Sequence, residues 1–192
     1  PAIERMFARY LKQEDSAQFI VAVSQRYTIA TLERLAQFGQ RTSRRGAVLA
    51  LGYLADYQSN LVMGRAMSDP DRGVRMLAEN GIRNVWARAG NVRQQQSLSV
   101  IARLNNAGQF YEAIETATKL IDDAPWYGEA FNERAIAFFN LDQIDESQYD
   151  CQQTLELNPY QFGACAGLGH CYLQQEDPVA ALHHFQQALS IN

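Results

Sequence analysis

The chain holds only five prolines and twelve glycines in 192 residues, so little in it stops a helix. No stretch alternates with a period of two for long enough to suggest a sheet. Cysteine is scarce: Cys151, Cys165 and Cys171 fall in no Cys-x-x-Cys pair, and each coincides with a packing position or its neighbour. That pattern excludes a disulfide framework and implies reduced structural thiols. Histidine is as rare. His170, His183 and His184, with Cys171, do not match the spacing of a closed zinc site, and adjacent His183 and His184 face different sides of one helix. Neither a metal nor another cofactor is expected.

Catalytic signatures are missing too. There is no glycine-rich phosphate loop, no nucleophile elbow and no His-Glu-x-x-His arrangement. Paired carboxylates such as Asp122 with Asp123, or Asp145 with Glu146, read as helix-end charges. The chain is therefore expected not to be an enzyme. No apolar run is long enough to cross a membrane, and the residues given hold no signal peptide. A cytoplasmic location is expected, with export left open because the chain begins at Pro1 without methionine.

What is present is helix-forming: Ala, Leu, Gln, Glu and Arg abound, and 47% of the residues are hydrophobic, ample for a stacked core. The expected fold is all-α, with about six helices before Gly90 and six after. Charge divides at the same place. Residues 1–93 carry 14 Lys and Arg against 8 Asp and Glu, a balance of +6, while residues 94–192 carry 3 against 13, a balance of −10; together they give the chain's −4. Thirteen of the fourteen front-half cations are arginines, which favours fixed, multidentate contacts.

Pro125 and Pro159 lie thirty-four residues apart, and each closes a segment with the same skeleton. Three units follow, 94–127, 128–161 and 162–192. Their eleventh positions are Leu104, Phe138 and Tyr172, their twentieth are Ala113, Ser147 and Ala181, and their twenty-fourth are Ala117, Cys151 and Phe185. Small residues recur where two helices must approach closely. This resembles the tetratricopeptide repeat family over the last half of the chain; Ser97, where a large apolar residue is usual, makes the first helix atypical.

The resemblance implies antiparallel helix pairs whose first helices line a concave groove that holds a peptide or partner protein. Its concave positions place Leu98, Asn105 and Asn106 in unit one, Asn132, Ile136, Phe139 and Asn140 in unit two, and His170, Leu173 and Gln174 in unit three. The positions where some members clamp a C-terminal carboxylate hold Leu98, Ala102, Glu133 and Gly167, so that mode is not expected. Amides mixed with apolar groups suit an apolar or neutral peptide segment.

In the front half, Arg44, Ala47, Ala50 and Leu51 recur thirty-one residues on as Arg75, Ala78, Gly81 and Ile82. The run Ser68-Asp69-Pro70-Asp71-Arg72-Gly73-Val74-Arg75 resembles a HEAT repeat, in which the Asp69 and Arg75 equivalents form polar ladders between repeats. Phe38 stands where the preceding acid would be, leaving that ladder incomplete. The chain thus reads as HEAT-like repeats over 1–90 followed by three tetratricopeptide units over 91–192, in a right-handed α-solenoid. Its expected role is a non-enzymatic protein-interaction scaffold, with homo-oligomerisation through an uncovered solenoid end bearing Phe185 and Leu189 as a further expectation.

Two other functions stay open at the level of sequence. Short HEAT-like repeats also resemble those of bilin lyases, which would make the chain a chromophore handler, although its front half has no cysteine or histidine. Arg41, Arg44, Arg45 and Arg75 would form the electrostatic patch of a nucleic-acid adaptor, but aromatics do not interleave with them in an RNA-binding pattern.

Overall fold

The computed structural model describes residues 1–191, which form twelve α-helices, one 3-10 turn and no strand. The chain divides into two compact units, residues 1–88 and residues 89 onward.

Unit 1 comprises α1 (Ala2–Gln13), α2 (Ser16–Ser24), α3 (Ile29–Phe38), α4 (Arg41–Leu54), α5 (Asn60–Ala66) and α6 (Arg72–Ala87), with the 3-10 turn Tyr57–Ser59 leading into α5. Both α3 and α4 start thirty-one residues before α5 and α6 respectively. Helix α4 is central: α1, α3 and α6 all pack on it, and its run from Gly46 to Gly52 is buried. Each fully buried aliphatic side chain there, such as Val48 or Leu51, contributes about 1.5–3 kcal/mol. Two glycines set the closest approach. A Cβ on Gly52 would lie 2.9 Å from the Gly81 Cα, and the reverse holds for Gly81, so α4 and α6 cross backbone to backbone.

Side-chain polar bonds join these helices. Arg44 donates to both carboxylate oxygens of Asp69 at 2.8 and 2.9 Å, and Arg45 does the same to Asp71 at 2.7 and 2.8 Å. Asp71 also caps α6, accepting from the Val74 amide. Gly73 leaves room for this, since a Cβ there would strike the Arg45 guanidinium. Arg44 donates to the Gly39 carbonyl, and Arg75, thirty-one residues on, donates to the Pro70 carbonyl in the same relation. Arg75 also bonds the Asp69 carbonyl, at 2.8 Å. Trp86, fully buried, donates to Asn60, and Arg88 caps the end of α4 through the Gly52 and Ala55 carbonyls.

Unit 2 comprises α7 (Val92–Asn106), α8 (Phe110–Asp123), α9 (Gly128–Asn140), α10 (Ile144–Leu157), α11 (Phe162–Gln174) and α12 (Pro178–Ile191). Its repeat is written in the backbone. The turn residues Gly108, Asp142 and Glu176, thirty-four apart, all take positive φ, at 72°, 59° and 60°. In each turn a following amide, of Gln109, Gln143 or Asp177, closes onto the carbonyl of Leu104, Phe138 or Tyr172 at 2.9 Å. The exits match as well: the Ala124 and Asn158 amides bond Leu120 and Thr154 at 2.8 Å. Helix α7 starts two residues ahead of this phase, because Asn91 and Gln94 form a reciprocal capping box.

Arg134 of α9 ties unit 2 together internally. It donates to both oxygens of the fully buried Asp150 of α10 at 2.7 and 2.9 Å and to Thr118 of α8 at 3.0 Å. The rings of Phe131 and Phe138 lie 5.7 Å from its guanidinium carbon.

Candidate functional site

Small residues on α11 open a pocket on unit 2. Gly163, Ala166 and Gly167 face Asn132, Ile136, Phe139 and Asn140 of α9, leaving a cavity of about 220 Å³ floored by Ala135, Ser147 and Cys151. Gly167 is required: a Cβ there would lie 2.8 Å from the Cys151 sulfur. His170 closes one side, 6.1 Å centre to centre from the Phe139 ring and 5.1 Å, edge on, from Phe185. Ile136 is 41% exposed at the mouth. Among the described residues, no Asp, Glu, Lys or Arg lines the cavity.

Five of the ten groove positions expected from sequence, Asn132, Ile136, Phe139, Asn140 and His170, meet at this one cavity. The other five lie outside its lining. Leu98 is buried, only 8% exposed, and so offers little surface. Asn105 donates to the Glu133 backbone carbonyl at 2.9 Å and to its carboxylate at 2.8 Å, pinning α7 to α9. Asn106, Leu173 and Gln174 are exposed. Asn140 spends its amide on the Ile136 carbonyl of its own helix at 2.8 Å.

The floor was not singled out as binding surface from sequence. Ser147 and Cys151 occupy the twentieth and twenty-fourth repeat positions, read there as packing sites only. Ser147 donates to the Ala135 carbonyl at 2.9 Å. Burial pushes the Cys151 thiol up to about 12, and the neighbouring Cys171 adds to this, so the sulfur at the floor is a neutral, soft surface rather than a nucleophile. Burial likewise pushes Cys165 up to about 11. Glu133, beside the cavity wall, is raised by burial, with the Asn105 hydrogen bond opposing the shift.

Three of the four arginines expected to form an electrostatic patch have partners. Arg44 and Arg45 are neutralised by Asp69 and Asp71, and Arg75 bonds two carbonyls; Arg41 is exposed. Asp71 falls to about 2, held there chiefly by Arg45, then by the Val74 amide and Arg41. Among the described residues, no group of three or more His, Cys, Asp or Glu is placed to hold a metal ion, and no helix is long and apolar enough to cross a membrane.

No family model matches the chain, and no curated protein matches it. Solved structures do. The MamA RS-1 ArsTM double mutant is 17% identical over 99% of this chain and 92% of that one, with a TM-score of 0.49. MamA 41-end from Desulfovibrio magneticus RS-1 is 17% identical over 99% and 93%, with a TM-score of 0.47, and MamA AMB-1 C2221 is 16% identical over 99% and 96%, with a TM-score of 0.48. Likeness at that level settles neither partners nor chemistry.

Proposed function

We propose that this chain is a non-enzymatic interaction scaffold in which a tetratricopeptide-type unit seats a neutral peptide segment on α9 and α11. The observation that carries this is the uncharged cavity where Ile136 and Phe139 stand beside the amides of Asn132 and Asn140. At about 220 Å³ it matches one or two apolar side chains of a peptide. The amides supply hydrogen bonds to a backbone passing over the mouth, and the apolar wall supplies the anchor. Unit 1 fits a HEAT-like role as a rigid support, since its Arg44–Asp69 pair links successive thirty-one-residue repeats.

A peptide-display selection on the full chain tests this reading. Enrichment of sequences with one or two large apolar residues and few charges is expected. Phe139→Ala with Asn140→Ala should weaken the selected peptides at least about tenfold, the scale of losing a buried anchor, while helical content stays unchanged. Retention of affinity in that double variant would move the peptide site elsewhere.

A further inference from the structure

A second cavity lies on unit 1, between α1 and α2, and differs in kind from the first. Its volume is about 240 Å³, and Arg5, Arg9 and Arg26 line it together with Met6, Tyr10 and Phe19. The sequence places them there by register. Arg5 and Arg9 are one helical turn apart on α1, flanking Met6, while Phe19 and Ala22 face them from α2, which returns after the two-residue turn Glu14-Asp15. The Ile3 amide donates to the Tyr27 hydroxyl at 3.0 Å, which brings the end of α2, and so Arg26, back to the start of α1.

These three guanidiniums contrast with Arg44 and Arg45, which are saturated by aspartates. Among the described residues, none of the three pairs with a carboxylate. The one acid lining the cavity, Asp15, is engaged in capping α2, accepting from the Gln18 amide at 2.9 Å. The lining therefore carries a net charge of +2. Its apolar part is aromatic and held in place: the Tyr10 and Phe19 rings are 5.4 Å apart, and Tyr10 is hydrogen-bonded to Tyr53.

We propose that this cleft binds a small organic dianion, a ring bearing a phosphate monoester, with the phosphate held by Arg5, Arg9 and Arg26 and the ring packed against Met6, Tyr10 and Phe19. Guanidinium forks match phosphate oxygens in geometry, and the net +2 left after Asp15 balances a dianion. A cavity near 150 Å³ accommodates a benzene ring, so about 240 Å³ holds a ring and its phosphate but not an extended chain. The proposal is independent of the peptide site on unit 2.

The test is a titration of the full chain with phenyl phosphate, and separately with inorganic phosphate, followed by backbone amide shifts in NMR. Phenyl phosphate should saturate, with shifts confined to α1 and α2, and should bind at least about tenfold more tightly than inorganic phosphate. Arg9→Gln and Arg5→Gln, at exposed positions, should each weaken it about tenfold or more without lowering the melting temperature. Arg34→Gln, an exposed arginine on α3 outside the cleft, should leave it unchanged. Absence of saturation by about 10 mM, an unaltered affinity in Arg9→Gln, or an equal loss in Arg34→Gln overturns the site. Inorganic phosphate binding as tightly as phenyl phosphate overturns the aromatic half of it.

Discussion

The two units solve one problem, joining short helices into a stack, by different chemistry. Unit 1 uses half-buried side-chain forks, Arg44 to Asp69 and Arg45 to Asp71, each running from α4 to the turn before α6. Unit 2 repeats a backbone turn three times and reserves its bidentate ion pair, Arg134 with Asp150, for the interior. Partly solvated pairs contribute modestly and respond to salt and acid. A buried pair adds little net stability but becomes expensive when one partner is removed.

The largest effect should come from breaking the interior pair. Arg134→Ala leaves a fully buried Asp150 carboxylate without its cation, and unit 2 should lose about 3–5 kcal/mol in denaturant unfolding. The apolar replacement of both, Arg134→Met with Asp150→Leu, should cost far less, and an equal loss in the two variants would show that packing rather than charge carries the contact. Unit 1 should yield next. Gly52→Ala forces a methyl against the Gly81 backbone, which has no flexible end to give way, and should cost about 1–3 kcal/mol by thermal unfolding.

The smallest and most discriminating effect is in pH. Asp71 has its folded value depressed to about 2, so the stability it contributes is fully present above its ordinary value of 3.8 and is lost as pH falls toward 2. Glu133 is shifted the other way. Its contribution is present below its ordinary value of 4.5 and is lost as pH rises through the raised folded value. Hydrogen exchange between pH 2.5 and 7 should therefore show unit 1 losing protection on acidification, and Asp71→Asn should flatten that slope. An unchanged slope in Asp71→Asn would assign the acid sensitivity to other carboxylates.

How much was legible in the sequence follows the same division. The thirty-four-residue phase is visible because Pro125 and Pro159 mark helix exits, and the turns at Gly108, Asp142 and Glu176 keep that phase in the backbone. The helical class follows from the scarcity of breakers. Half of the groove positions converge on one cavity because neighbouring first helices carry them in register. The rest diverge for local reasons: Leu98 is drawn into the core, and Asn105 satisfies Glu133 instead of facing outward. Among the arginines, sequence shows charge but not partners. Arg44 and Arg45 stand out as a cluster, yet Asp69 and Asp71 come back to them only through the fold, while Arg5, Arg9 and Arg26 are scattered in sequence and meet only across a helix turn.

The three thiols give unit 2 something unit 1 lacks. Cys151, Cys165 and Cys171 are all buried, and burial raises each above the ordinary thiol value. Cys165 and Cys171 lie outside the lining of the unit 2 cavity, so their alkylation by a small reagent must wait for the surrounding helices to part, and its rate reads the free energy of that opening. Since no cysteine lies before residue 151, the signal is silent to events in unit 1. The chain thus carries its own clock for the breathing of its third thirty-four-residue repeat, set without any added label.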